Sequence, residues 1–415
     1  MSESRGKANG GHPDVIVLGA GIVGAGTAYF LARKGFRVLV IEGEAPAWGA
    51  SGRNPGFQWL HTRKAGIQME LGLAGRRLAD QLREELDDFE MRPSGGMIYF
   101  TDERQLPLFR AFVAERREAG LPMELIDGKA AREHCPVLSE KVLGASWNPL
   151  DAHQNTAMLV EALIAAAKRH GAELRSACPV ERLAIENGRC VGIVTAAGET
   201  ISAGKVVLAA GAWSPKLLAP LGLGLPISAM RLQVVETEPA PFRFEPLLYG
   251  PTAVKQYAYI RALPDYSEEG AWHPIERQFP GIEFLELAAQ RKDGRIRLGC
   301  PMDFPGLDDR PTVAGIALTL AVLTENLPAI KDLAIERVYA GLLPETPDAL
   351  PVLDPDPGID GLVINAGHVF GNLAGPLSGK MIAQHLAGEA TEFDLAQFRL
   401  DRPALRVNRE SHGRW

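Results

Sequence analysis

A chain of 415 residues that is 46% hydrophobic is long enough for two domains with substantial cores, and its net charge of −7 is spread without the dense basic tract that a nucleic-acid backbone requires. Cys135, Cys178, Cys190 and Cys300 stand apart, with neither CxxC spacing nor a histidine cluster, so no metal site is encoded and four isolated reduced thiols are expected. No apolar run is long enough to span a bilayer, and a cytoplasmic protein without a membrane span is the expectation.

Residues 1–13 are polar and glycine-rich and read as a disordered tail. The apolar run 15–18 then predicts a strand, followed at once by GAGIVG. In that turn Gly19 permits the sharp bend, Gly21 lets the backbone approach a pyrophosphate, and Gly24 lets the next helix lie close to the sheet, with Ile22 and Val23 between them. The helix predicted over 25–33 offers unpaired amides and a favourable dipole at its start. Gly35 ends it, 37–41 forms a second strand, and Glu42, beside Gly43, arrives where a carboxylate accepts from ribose hydroxyls. The expectation is a bound adenine dinucleotide.

Leu71, Ala74, Leu78, Leu82 and Leu86 fall at helical spacing, predicting a helix within 66–90 whose stripe is core or interface. A second long helix is read over 151–171 from Met158, Leu159, Ala162 and Leu163. Residues 177–199 read as strands joined at Asn187-Gly188, with Val180 placed to offer backbone groups to an adenine. KVVLAAGAWS over 205–214 reads as a strand ending at Ala209, after which Ala210, Gly211 and Trp213 lie above the first glycine turn.

From 225 to 299 the pattern changes to strands, with RLQVVETEP, KQYAYIRAL and FLELAAQRKDGRIRLG as candidates. Together with 89–133 they should build an antiparallel sheet over one face of the cofactor, and a helix over 314–327 returns the chain. A strand over 362–365 then runs into a glycine-rich loop and a helix beginning near Pro376. Two glycine-rich turns more than 300 residues apart suit an extended cofactor gripped at both ends, which fits FAD better than an exchanging nicotinamide nucleotide. The polar stretch 401–415 reads as a docking element or a disordered tail.

On GAGIVG with Glu42, SGRNPG at 51–56, VVLAAGAWS at 206–214, GLLPETPDALPVL beginning at Gly341, and INAGHVFGNLAGPLSG at 364–379, the chain resembles the FAD-dependent D-amino-acid oxidase family, in its glycine oxidase, sarcosine oxidase and amino-acid dehydrogenase branch. The resemblance spans about 14–390. It implies an α/β fold: a Rossmann-like FAD-binding domain over 14–88, 145–224 and 330–395, an interleaved α+β substrate domain with an antiparallel sheet over 89–144 and 225–329, and a C-terminal tail over 396–415. It also implies that Ser51, Gly52, Arg53, Asn54 and Gly56 contact pyrophosphate and flavin, and that Gly367, His368, Gly371, Asn372, Leu373, Ala374 and Gly375 border the flavin pyrimidine and ribityl region. With no histidine or cysteine at an evident linking position, the FAD is expected to be non-covalent.

Flavin oxidation of an amine needs the substrate carbon held in a dry cavity with its nitrogen neutral, so positioning carries most of the burden. The candidate catalytic residues are Trp59, His61, Tyr257, Tyr259, Arg261, Arg291 and His368. Tyr257, Tyr259 and Arg261, two apart on one strand face, either line the cavity or pack and face solvent; His61 and His368 either touch ligand or are satisfied structural histidines. Relatives resembling this chain often carry an arginine in a GxRPxTPD segment that clamps a carboxylate, whereas this chain has Leu343 there. Either Arg261 or Arg291 substitutes, or the substrate carboxylate is absent or differently placed. The function implied is FAD-dependent oxidation of the C–N bond of an amino acid or secondary amine to an imine, with dioxygen, a quinone or a partner flavoprotein as acceptor. The alternatives are a dehydrogenase subunit of a heteromeric complex, and a non-catalytic or tRNA-modifying FAD-binding protein.

Overall fold

The computed structural model describes residues 11–406. Residues 1–10 and 407–415, parts of the two expected tails, lie outside the described residues. Strand Val15–Leu18 pairs in parallel with Val38–Ile41 on one side and Lys205–Leu208 on the other. Glu173–Arg175 and Leu362–Ala366 extend this parallel sheet, and Val352–Asp354 closes it as an antiparallel edge.

Strands Val15–Leu18 and Val38–Ile41 are apolar at every position because both faces are covered. Val15, Val17, Val38 and Val40 face a core shared with helices Ile22–Arg33, Thr156–Arg169 and Gly371–Leu386. Ile16, Leu18, Leu39 and Ile41 face the other way, onto the three-stranded sheet of Val180–Glu186, Arg189–Thr195 and Thr200–Ser202. Each fully buried Val or Leu contributes on the order of 1.5–3 kcal/mol, so this sandwiching fixes the glycine turn that leaves the end of the first strand.

A second, eight-stranded sheet runs in the order Ile335–Glu345, Ser228–Thr237, Ile296–Asp303, Glu283–Gln290, Leu247–Tyr249, Gly96–Phe100, Gly144–Asn148 and Glu124–Asp127. Its pairings are antiparallel except for Leu247–Tyr249 with Gly96–Phe100. Two short strands, Phe57–Gln58 and Ala152–His153, join the chain between the two sheets.

Two local expectations are corrected. The stretch expected as the strand KQYAYIRAL forms the 3-10 turn Pro251–Gln256 and the short helix Ala258–Arg261, so Tyr257 and Tyr259 do not share a strand face. The last long helix begins at Gly371, not near Pro376, and Pro376 lies inside it. There the ring packs on Gly26 of Ile22–Arg33, where a Cβ would come 2.8 Å from Pro376 Cα, so tight helix contact offsets the missing backbone donor. Among the described residues no helix is long and apolar enough to cross a membrane.

Candidate active site

The glycine turn opens onto a cavity of about 530 Å³ lined from both large sheets. Gly19 adopts φ +103°, and a Cβ there would lie 2.5 Å from the Ala209 carbonyl oxygen, while one on Gly24 would collide with the Gly19 carbonyl. Those two positions need glycine for backbone shape and close approach. The Ala20 amide donates to Glu42 Oε2 at 2.7 Å, and the Ile22 amide donates to Ser51 Oγ at 2.9 Å. The N-cap Gly21 of helix Ile22–Arg33 has no side chain to cap it and no acid stands in the first turn, so apart from the Ile22 amide held by Ser51 its positive end is left for an anion.

Opposite the turn, the first turn of helix Gly371–Leu386 is tied to segment 51–57. Asn372 Nδ2 donates to Asn54 Oδ1 at 3.1 Å and to the Phe57 carbonyl at 3.0 Å, and Thr156 Oγ1 bridges both asparagines. Of the residues expected to hold cofactor, Gly19, Gly21, Ile22, Val23, Glu42, Gly43, Ser51, Arg53, Asn54, Val180, Ala210, Gly211, Trp213, Gly341, Gly367, His368, Gly371, Asn372 and Leu373 all line this one cavity. Gly24, Gly52, Gly56, Ala374 and Gly375 are not among its lining residues. Gly52 and Gly56 instead admit the carbonyls of Ala47 and Gln154, and Gly375 packs on Ile22.

The candidate catalytic residues divide. Trp59, Tyr257 and His368 line the cavity. His368 Nε2 lies 2.8 Å from Ser378 Oγ, which itself donates to the Gly375 carbonyl; Nε2 therefore carries the proton and Nδ1 is left to accept. Burial pushes the His368 pKa down to about 3, keeping the ring neutral.

His61 lies beneath Trp59, its ring stacked at 4.7 Å and 8°. Its Nδ1 meets Asp151 Oδ2 at 3.0 Å and its Nε2 meets Ser146 Oγ at 2.7 Å. None of the residues in this Ser–His–Asp order lines the cavity, and all three have zero exposure. Burial lowers the His61 pKa, against the pull of Asp151, so the contact is a hydrogen bond of a neutral imidazole. Asp151 also accepts from the backbone amides of Leu60 and His61 and from Asn148 Nδ2, stapling the turn that presents Trp59 and Arg63.

Tyr259 is half-buried away from the cavity under Arg116. Arg261 pairs with Glu268 at 2.7 Å, and Arg291 pairs with Asp293 and Glu236; neither lines the cavity.

Three cations do line it: Arg53, which pairs with Asp309, Lys216, and the deeply buried Arg63, which is 2% exposed. The Arg63 guanidinium lies over the Phe370 ring, and one terminal nitrogen donates to Thr62 Oγ1 at 3.1 Å. Its Nε and other terminal nitrogen have no partner among the described residues. Burial lowers its pKa to about 10, with Tyr257 and Tyr249 pulling it back up, so it stays charged at neutral pH. The Tyr257 and Tyr249 phenols, both held protonated by burial, also line the cavity and hydrogen-bond each other. Sequence reasoning passed over Arg63, Tyr249, Phe57 and Phe370. The sequence carries no mark that singles Arg63 out, since it stands beside Lys64 as one of two adjacent basic residues.

A glycine turn, an acid on ribose-binding ground and a distal loop meeting around one cavity define a protein that holds a dinucleotide between two sheets. Residues 14–385 match the model of the DAO family, FAD dependent oxidoreductase, and the chain belongs to that family of enzymes, with FAD as its cofactor. It is 28% identical over 398 residues to a glycine oxidase of Pseudomonas putida, covering 92% of this chain and 97% of that protein. It is 26% identical over 461 residues to a D-amino acid dehydrogenase of Cereibacter sphaeroides, covering 95% and 98%. Among solved structures, a glycine oxidase from Geobacillus kaustophilus superposes with a TM-score of 0.79 at 26% identity, over 94% of this chain and 99% of that one. An L-proline dehydrogenase from P. horikoshii superposes with a TM-score of 0.77 at 25% identity, over 94% and 97%.

Proposed function

We propose that this enzyme oxidises the C–N bond of an amino acid or N-substituted amino acid to the imine, which water then hydrolyses, and that Arg63 anchors the substrate carboxylate. The observation that carries this reading is a buried, charged guanidinium with two unpartnered nitrogens on the cavity wall. Such a group is costly to bury unless an anion completes it. The names of the relatives, glycine oxidase, D-amino acid dehydrogenase and L-proline dehydrogenase, support an amino-acid substrate.

The residues present fit the cofactor: the helix start with its glycine N-cap and Ser51 suits a pyrophosphate, Glu42 a ribose, and segment 367–373 a ring system. When bound, FAD supplies the acceptor for the hydride taken from the substrate carbon. This chain's own part is to orient and to exclude water. Arg63, with the phenols of Tyr249 and Tyr257, fixes the carboxylate and hence the angle at which the C–N bond is presented. Neutral His368 adds an acceptor without a second positive charge that would oppose a deprotonated amine. Trp59, held by the His61–Asp151 staple, closes the wall against solvent.

The test is anaerobic bleaching of the yellow holoenzyme with D- and L-amino acids, proline, sarcosine, opines and polyamines. Arg63→Met should weaken binding of the active substrate by about 2–5 kcal/mol, the loss on truncating a buried charge partner. Equal affinity in the variant, or polyamines as the sole active compounds, would remove the reading. The acceptor is proposed as dioxygen, a quinone or a partner flavoprotein; peroxide release on turnover selects the first, and recovery only with a dye or quinone selects the others. The four free cysteines suit a reducing compartment, and the cytoplasm is the proposed location.

A further inference from the structure

The cavity wall opposite the glycine turn is built from one face of the eight-stranded sheet. Leu232 and Val234 come from Ser228–Thr237, Leu285 and Leu287 from Glu283–Gln290, Cys300 from Ile296–Asp303, and Leu343 from Ile335–Glu345. Antiparallel register brings the two edge contributions together: Leu343 lies opposite Met230, and Leu232 opposite Gly341. The lack of a side chain at Gly341 admits Ala50 and Arg53, whose guanidinium is engaged by Asp309 and the Ala340 carbonyl.

Most of this face is sealed in the core, but Leu232 and Leu343 are only partly buried although both pack on its cluster. Their remaining surface faces the cavity. Apart from Arg53, which is engaged by Asp309 and the Ala340 carbonyl, the hydrogen-bonding groups named above sit elsewhere, with amides, Ser51, Asn54 and Asn372 around the glycine turn and distal loop, and Arg63, Tyr249 and Tyr257 at one end of the wall. Between them the sheet offers no charged or amide side chain. A polar substituent placed there would lose its water without gaining a partner, whereas an alkyl or aryl group would cover apolar surface now left open.

We infer that Leu232, Leu343 and the leucines beside them form a side-chain subsite that selects amino acids bearing an extended apolar substituent. This rests on the reading of Arg63 as the carboxylate anchor, since the anchor is what fixes the substituent against the sheet. Leu343 then sets specificity by size and polarity and takes no part in moving the proton or hydride.

The test titrates the holoenzyme with acetate, propionate, butyrate and pentanoate and follows the shift in flavin absorbance, which needs no turnover. Affinity should rise about fourfold per methylene, the worth of one buried CH2, until the wall is filled. Leu343→Asn, close in volume, should flatten the series to under twofold per methylene, and Leu343→Met should preserve it. Leu232→Asn should flatten it as well, so the inference does not hang on one variant's folding, and an unchanged flavin spectrum in each variant shows an intact site. A flat series in the parent enzyme would overturn the inference while leaving the anchor in place if Arg63→Met still abolished binding. A rising series that Arg63→Met left untouched would support the apolar subsite and overturn the anchor.

Discussion

Asn372 donates its Nδ2 to Asn54 Oδ1 at 3.1 Å, joining two residues 318 positions apart at the floor of the cavity. Asn54 also turns its own segment, donating to the carbonyls of Ala50 and Ser51 and accepting from the Gly56 amide at 2.8 Å. One amide therefore shapes the loop after the glycine turn and receives the first turn of helix Gly371–Leu386. The two halves of the cofactor site are coupled through these side chains before any ligand is present.

That coupling is measurable. Asn372→Ala removes bonds to Asn54 and to the Phe57 carbonyl and should cost about 1–3 kcal/mol, with weakened FAD retention. Asn54→Ala should cost at least as much, because it also releases the Gly56 amide. The double variant should be less destabilised than the sum of the singles by about 0.5–2 kcal/mol, read by denaturant unfolding and by FAD release on dilution. Strictly additive losses would show that the two segments are held independently.

How much of this was legible depended on whether a residue's role is local. Gly19, Gly24 and Glu42 announce themselves because strand, turn and helix follow within one short segment, and the backbone shape that needs glycine is set there. That Asn54 and Asn372 bond each other was not legible, because the bond spans most of the chain. Arg63 was not legible at all: its importance comes from being surrounded by Phe370, Tyr249 and Tyr257, which arrive from distant segments. Tyr257, Tyr259 and Arg261 misled through alternation, since a short helix with a buried tyrosine just before it and a half-buried one inside it mimics a period of two over so few positions. Arg261 and Arg291 were attractive as arginines, but local carboxylates, Glu268 and Asp293, occupy them.

Acid should destabilise the protein through its buried histidines. Burial pushes His153 and His368 down to about 3 from the ordinary 6.5, with nearby Arg92 and Arg297 adding to the effect at His153. Between those values the unfolded chain binds protons that the folded chain does not, so these groups' stabilisation is present above pH 6.5 and is lost as pH falls. Each histidine contributes a slope of about 1.4 kcal/mol per pH unit in that window. His153→Gln should therefore reduce the slope of unfolding free energy between pH 5.0 and 6.5 by about that amount. An unaltered slope would mean that His153 is protonated in the folded protein.

Glu286 should act in the opposite sense. Its carboxyl is fully buried in the eight-stranded sheet, and burial raises its pKa from 4.5 to about 7 although Tyr99 and Asn326 donate to Oε1. The other oxygen, Oε2, has no partner among the described residues. Between pH 4.5 and 7 the folded chain keeps a proton that the unfolded chain has released, so this contribution is complete below pH 4.5 and lost as pH rises through 7. Glu286→Gln keeps an acceptor for Tyr99 and Asn326 and cannot ionise. Relative to the parent enzyme it should gain about 3 kcal/mol between pH 4.5 and pH 8, seen as unfolding curves that diverge with rising pH. Curves that stay parallel across that range would show that Glu286 is already ionised at pH 5, with its charge carried by Tyr99, Asn326 and the nearby Lys255.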